Sequence, residues 1–354
     1  THVMVNRGTQ PGGDALELFT DLGDGATWNG SVTLADSDEN STSDGYVDND
    51  KLFVTYATPA REIVFSVLQY NAFTHGWSLV NSETAFSSPD VSAINPALAV
   101  DASGTLWLAF VGQDTTTRNY TIKLLRNSSA GQGWVDTGFA FGASDNVSIE
   151  RSARPVATAR GIGMIYTVHE KIYWAFRYNQ WPLTRLWPSQ LLYTSTSNDT
   201  DPYASHFSVV ADSRQNIHMV TADGGRLRYF RMNALRGTWH SKWLTGNINA
   251  GYPQVTASGN NVVIAVNVNS QAGIYQSSDY GNTFTYTQAL VHGAPGPGVS
   301  YSYPRIETPT NSLSPMPLLQ QYSIDNGAQQ RLLFYSVPVI NLDAASVFDG
   351  RPQP

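Results

Sequence analysis

The chain has 354 residues, 14% of them charged, no cysteine and a formal net charge of −7. This composition excludes disulfides and thiolate metal sites, and without a cluster of Lys and Arg it offers nucleic acid no phosphate-binding surface. No run of about 18 apolar residues spans a membrane, no stretch keeps helical 3.6 spacing beyond a turn or two, and a radially repeated all-β chain of this length reads as one domain over 1–354.

In chain order, residues 16–20 alternate like a strand and lead to Trp28, a partial unit. Segments 51–56 and 62–67 form the next unit and precede Trp77. The clearest unit follows: 95–101 (Asn-Pro-Ala-Leu-Ala-Val-Asp), 104–110, 120–126 and then Trp134, with Asp-Ala-Ser-Gly as a tight hairpin turn. Its grammar returns in 154–159, 163–169 and 172–177 before Trp187, and in 206–212, 216–221 and 226–231 before Trp239. Segments 252–257 and 262–266 precede Phe284, and 303–307 and 331–335 make the last unit. Aromatics therefore recur about every 50 residues, each closing a set of short strands, which is the signature of a β-propeller. We expect an all-β, seven-bladed β-propeller of four-stranded antiparallel blades. The incomplete first and last units predict a ring closed by strands from both termini, with 337–342 as the closing strand.

Residues 277–284 read Ser-Ser-Asp-Tyr-Gly-Asn-Thr-Phe, the Asp-box pattern S-x-D-x-G-x-T-W/F, and Gly25-Ala-Thr27-Trp28 is a worn copy. On these residues the chain resembles the BNR/Asp-box propellers, the sialidase-like superfamily. Such a box locks the turn between the third and fourth strands of a blade, its Asp accepting backbone N–H groups and its aromatic packing between sheets. The resemblance implies a mouth, opposite these turns, lined by the residues that precede first strands and join second to third strands.

Residues at those positions include Arg61, Asn95, Arg154, His169, Glu170, Tyr203, His206, Arg226, Tyr252, Tyr301 and Tyr303. His, Tyr and Arg together suit β-elimination from a uronic acid. An Arg neutralises the carboxylate, a His or Tyr takes the C5 proton, and another group protonates the departing oxygen. Arg154 or Arg226 fits the first role, His206 the second, and Tyr203 or Tyr252 the third, with His169 to supply a second histidine if the mechanism uses two; Arg61, Asn95, Tyr301 and Tyr303 would add substrate contacts. The loop 201–206 (Asp-Pro-Tyr-Ala-Ser-His) is similar to the His-bearing loop of ulvan lyase and rhamnosyl-glucuronate lyase propellers. That resemblance implies a polysaccharide lyase, although Asn95 stands where a second loop histidine would be expected. His218, inside a second strand, reads as a packed blade residue.

Two other functions compete. A lectin would use the 18 Tyr and 9 Trp as stacking platforms, yet the loops differ from blade to blade, which favours one site over several. A sialidase needs three converging arginines, which Arg154, Arg226 and Arg305 would have to supply. It usually also carries an Arg-Ile-Pro start, and this chain has none. Six sequons, at Asn29, Asn40, Asn119, Asn127, Asn146 and Asn198, point to a secreted glycoprotein. Acidic stretches at Asp36, Asp38, Glu39 and at Asp48, Asp50 lack complete calcium-loop spacing and read as solvated turns, so neither a cofactor nor a metal is expected. The expected partner is an extracellular polysaccharide or oligosaccharide met by a monomer, with neither nucleic acid nor membrane involved.

Overall fold

The computed structural model describes residues 2–9, 13–21, 28–38, 41–127, 133–142, 153–196, 207–246, 250–268, 271–290, 300–304, 316–324, 329–337 and 346–348. The chain divides into two compact units, Thr1–Thr194 and Ser195–Pro354. Every described element is a β-strand, and every strand pair is antiparallel. No described helix is long and apolar enough to cross a membrane.

The first unit holds four sheets. β1 (His2–Thr9), β2 (Gly13–Asp21) and β3 (Trp28–Asp36) form a three-stranded one. β4 (Asp44–Asp48), β5 (Lys51–Ala57), β6 (Ile63–Asn71) and β7 (Gly76–Phe86) form the second. The third contains β8 (Val91–Val100), β9 (Leu106–Asp114), β10 (Tyr120–Asn127) and β11 (Val135–Phe141), and the fourth β12 (Arg154–Thr158), β13 (Gly161–Val168), β14 (Lys171–Tyr178) and β15 (Ser189–Thr194). Each is an up-and-down meander in sequence order, the form of a propeller blade. Middle strands such as β9 and β13 are buried along almost their whole length, because neighbouring sheets cover both faces, and their runs of apolar residues follow from that. Fourth strands such as β11 and β15 are largely exposed.

Within this unit the recurring aromatics staple a sheet to the one before it. Trp134 of the third sheet meets Phe65 of the second edge-on, with centroids 5.2 Å apart, and donates from Nε1 to Glu83 Oε1 at 2.8 Å. Trp187 of the fourth meets Trp107 and Phe141 of the third at 6.1 and 5.7 Å. Trp77 lies in a core shared with Leu16, Leu18 and Leu34 of the first sheet. Burial of one such side chain stabilises by about 1.5–3 kcal/mol, so the roughly 50-residue period marks the inter-sheet contacts.

The second unit repeats the plan. β16 (Phe207–Ala211), β17 (Ile217–Asp223), β18 (Arg226–Asn233) and β19 (Thr238–Trp243) form one sheet. β20 (Ala250–Ser258), β21 (Asn261–Val268), β22 (Gln271–Ser277) and β23 (Thr285–Leu290) form the next, and β24 (Ser300–Pro304), β25 (Met316–Ile324), β26 (Gln329–Val337) and β27 (Ser346–Phe348) the last. The Asp-box joins β22 to β23. Asp279 accepts from Thr283 N at 2.8 Å, Thr283 Oγ1 at 2.7 Å and Ser277 Oγ at 2.7 Å, while Phe284 packs edge-on against Tyr229 at 4.8 Å. Burial alone would raise the Asp279 pKa, but these donors outweigh it and hold the carboxyl at about 2.

A second turn device recurs at the end of first strands. Asp101 accepts from Ser103 N and Thr105 N and also from Trp107 Nε1, six residues on, at 2.8 Å. Asp212 accepts from Arg214 N and Asn216 N, and six residues on His218 Nε2 lies 3.0 Å from its Oδ2. A carboxylate only accepts, so Nε2 carries the proton and Nδ1 accepts from Tyr229 O–H at 2.6 Å. His218 is fully buried, a packed blade residue as the sequence suggests.

The termini depart from expectation. Five four-stranded blades lie between Asp44 and Leu290, flanked by the three-stranded sheet and by the sheet of β24 to β27. Among the described residues no C-terminal strand joins the first sheet. Residues 2–36 supply three strands of their own and β27 pairs with β26. The expected closing strand enters the described structure only at Val337, the end of β26; 338–342 lie outside the described residues.

Candidate functional site

Three sheets of the first unit meet where their first strands begin. Asn95 sits in mid-β8 before Pro96, where the register with β9 slips so that two residues oppose one. Its φ is 51°, and a positive φ is unusual in mid-strand and disfavoured before proline. A bulge of this kind re-aims a side chain. The Asn95 Oδ1 accepts from Thr42 N at 2.9 Å, and Asn95 N donates to Ser41 Oγ at 2.8 Å, tying β8 to the segment before β4.

Asp44, at the start of β4, binds both other sheets. Its Oδ2 accepts from Leu98 N at 2.8 Å and lies 3.3 Å from Arg154 Nη1. Arg154, immediately before Pro155, is buried in this ion pair. Arg61 in the turn between β5 and β6 pairs through Nε with Asp38 Oδ2 at 2.6 Å and keeps a side-chain exposure of 36%. His169 occupies the turn between β13 and β14 and is exposed. In a meander the turn from second to third strand returns to the end where the first strand began, so Arg61, Asn95, Arg154 and His169 share one rim of this unit.

The bulge recurs in the second unit. Tyr252 precedes Pro253 in β20, with φ 48° and the same two-against-one slip relative to β21. A bulky residue at positive φ is a rarer outlier than Asn. Two residues after each proline, a buried N–H is taken up by the preceding sheet: Leu98 N by Asp44 in the first unit, and Val255 N by Ser208 Oγ at 3.1 Å in the second. Arg226, at the start of β18, lies 4.0 Å over the Trp243 ring. Near it, buried Asp223 accepts from Ser195 Oγ and Thr196 N at 2.8 and 3.0 Å.

Arg154 is therefore paired with Asp44 in a buried ion pair, and Arg226 is stacked over Trp243. Asp38, expected in a solvated acidic turn, is buried against Arg61. The residues missed in the sequence are Ser41, Thr42 and Asp44, which form the other half of the rim. Tyr203, His206, Arg305, Asn40, Asn146 and Asn198 lie outside the described residues, as do the side chains of Tyr301, Tyr303 and Asn29. Asn119 is exposed and open to a glycan, whereas Asn127 is buried where β10 alternates inward. Among the described residues no three His, Asp or Glu side chains gather as a metal site.

No protein-family model and no curated protein matches the sequence. Solved structures do. The periplasmic gluconolactonase PpgL of Pseudomonas aeruginosa shares 11% identity with a TM-score of 0.57, over 99% of each chain. The SapL1 lectin in complex with alpha methyl fucoside shares 11% at a TM-score of 0.51, over 83% of this chain and 94% of that one. A mutant Trypanosoma rangeli sialidase displaying trans-sialidase activity shares 12% at 0.52; 75% of this chain is covered, which spans only 50% of that protein's length. At such identities the likeness shows the fold alone, an all-β propeller with four-stranded antiparallel blades.

Proposed function

We propose that this chain is a secreted, seven-bladed, single-domain propeller that acts on carbohydrate, with a saccharide site on the rim formed by Arg61, Asn95 and His169. The observation that carries this reading is the bulge before Pro96, which holds Asn95 at a costly positive φ where three sheets converge. Lectin, sialidase and lactonase neighbours make saccharide chemistry the natural use of such a rim, as an analogy of fold.

The finer reading is polysaccharide lyase activity next to a uronic acid, of the rhamnose-glucuronate type. Arg61 replaces Arg154 as the group that meets the carboxylate, because it alone of the two retains exposure. His169 is the candidate base on this rim. His206, with Tyr203 or Tyr252 as acid, is the alternative pair carried by the second unit. Incubation with gum arabic, ulvan and pectin while absorbance is followed near 235 nm tests it, since that region reads the unsaturated uronate made only by β-elimination. A rise that disappears in Arg61→Gln and His169→Ala supports the assignment. A rise that survives both but is lost in His206→Ala moves the chemistry to the second unit. Binding without product makes the protein a lectin.

A further inference from the structure

At the end of the first unit opposite the rim, the third and fourth sheets gather arginines around aromatic rings. The meander places the end of β10, the end of β14, the turn between β12 and β13, and the connection from β14 to β15 at that end. These positions hold Arg126, Arg177, Arg160 and Arg185. Arg160 lies 5.2 Å from the Tyr178 ring centre, Tyr178 meets Trp181 edge-on at 4.9 Å, and Arg185 stacks 3.8 Å over Trp181. Arg177 donates through Nη2 to the Trp181 carbonyl and lies 5.8 Å from the Trp107 ring centre.

Three of the four guanidiniums of this cluster have no counter-charge paired with them among the described residues. Among the described residues, Arg126, Arg177 and Arg185 form no ion pair with a carboxylate, and the Nε atoms of Arg126 and Arg177 are buried without a hydrogen-bond partner. Arg177 is more than nine-tenths buried. Burial, and then repulsion by Arg126, lowers its pKa against the weaker pull of Asp101. Asp101 is already engaged by Ser103, Thr105 and Trp107. A buried guanidinium without a counter-charge is costly, and an incoming oxyanion relieves that cost. The two exposed arginines, Arg160 and Arg185, flank an aromatic pair of the kind on which a sugar ring rests.

We infer that the Arg126, Arg160, Arg177 and Arg185 cluster, with Tyr178 and Trp181, is a second binding site, separate from the rim, for the carboxylate or sulfate group of an acidic saccharide. The inference rests on the carbohydrate reading above for the nature of the ligand, but not for the place of the site. It predicts a distant hold on an acidic chain whose other residues meet the rim.

The test is isothermal titration of the full chain with a glucuronate-containing trisaccharide and with its neutral counterpart. Both exposed arginines are replaced in Arg160→Gln/Arg185→Gln, which leaves the buried Arg177 and the fold in place. The wild type is expected to show two sites for the acidic sugar. The double variant should lose one of them, with affinity falling roughly tenfold or more for the loss of two charge-assisted donors. Loss of that site while Arg61→Gln has no effect on any binding supports this inference and overturns the rim. Affinity and stoichiometry unchanged in the double variant, or equal binding of the neutral sugar at this site, overturn the inference and leave the rim standing. No binding by the wild type overturns both.

Discussion

Replacing Asp44 by Asn separates the two jobs of the carboxylate that joins three sheets. Asn keeps a carbonyl oxygen for the Leu98 N–H, 2.8 Å away in the native protein, and removes only the charge that faces Arg154 at 3.3 Å. The Asp44 side chain is 2% exposed and that of Arg154 9%, so a guanidinium that loses this counter-charge stays out of water. Breaking a buried pair from one side costs roughly 3–5 kcal/mol, whereas replacing both partners by neutral groups of similar size is often near neutral. Asp44→Asn is therefore expected to destabilise by roughly 3–5 kcal/mol, and the double variant Asp44→Asn/Arg154→Met to recover most of that loss, a coupling of at least about 2 kcal/mol. Urea unfolding followed by tryptophan fluorescence gives the three stabilities by linear extrapolation. Additive losses, or a single-variant cost below about 1 kcal/mol, would refute the claim that this pair holds the rim together. If Arg154→Met leaves stability intact but abolishes saccharide binding, Arg154 is a ligand residue after all.

Two further outcomes follow from packing and from charge. A Cβ at Gly163 in β13 would overlap the Trp174 ring directly, so Gly163→Ala should lower stability by roughly 1–3 kcal/mol with a visible change in the near-ultraviolet tryptophan signal; a variant as stable as wild type with that signal unchanged contradicts the packing. Asp279 is held at about 2, below its unfolded range near 4, so it contributes stability above pH ~4 that is lost as pH falls towards 2. Melting temperatures taken between pH 6 and 2.5 should fall less steeply for Asp279→Asn than for wild type; parallel curves would show that the Asp-box carboxylate contributes nothing to acid sensitivity.

Much of this architecture was legible because it depends on local patterns. Alternation marks strands such as β8 and β18, and Trp134, Trp187 and Phe284 mark the seams between sheets. Part of the rim was legible for the same reason, since Arg61, Asn95, Arg154 and His169 fall at the repeat positions that precede first strands or join second to third strands, although the bulge at Asn95 was not. The rest was not. Asp38 and Asp44 sit in a short polar stretch that looks solvated, and nothing local shows that the N–H group Asp44 satisfies lies 54 residues away. The strand β1 was hidden too, because its pairing with β2 outweighs a weak alternation.

The two described histidines that bear on function show how the fold decides between structure and chemistry. His218 is joined to Asp212 and Tyr229, a constellation that in isolation reads as a catalytic relay. Trp107 stands in the same relation to Asp101, six residues after it in the same hairpin, and indole Nε1–H is no base. The shared element is thus the aspartate that closes the turn and needs a donor from the second strand, and imidazole and indole both provide one. Full burial of His218 removes it further from any substrate, and the Tyr229 hydroxyl, its pKa raised by burial, stays a proton donor to that ring. His169 has the opposite setting, exposed at the turn that returns to the Asn95 rim. Chemistry on this fold is therefore to be sought where side chains interrupt the repeat, at bulges and second-to-third-strand turns, rather than where the repeat writes the same hydrogen bond with a different residue.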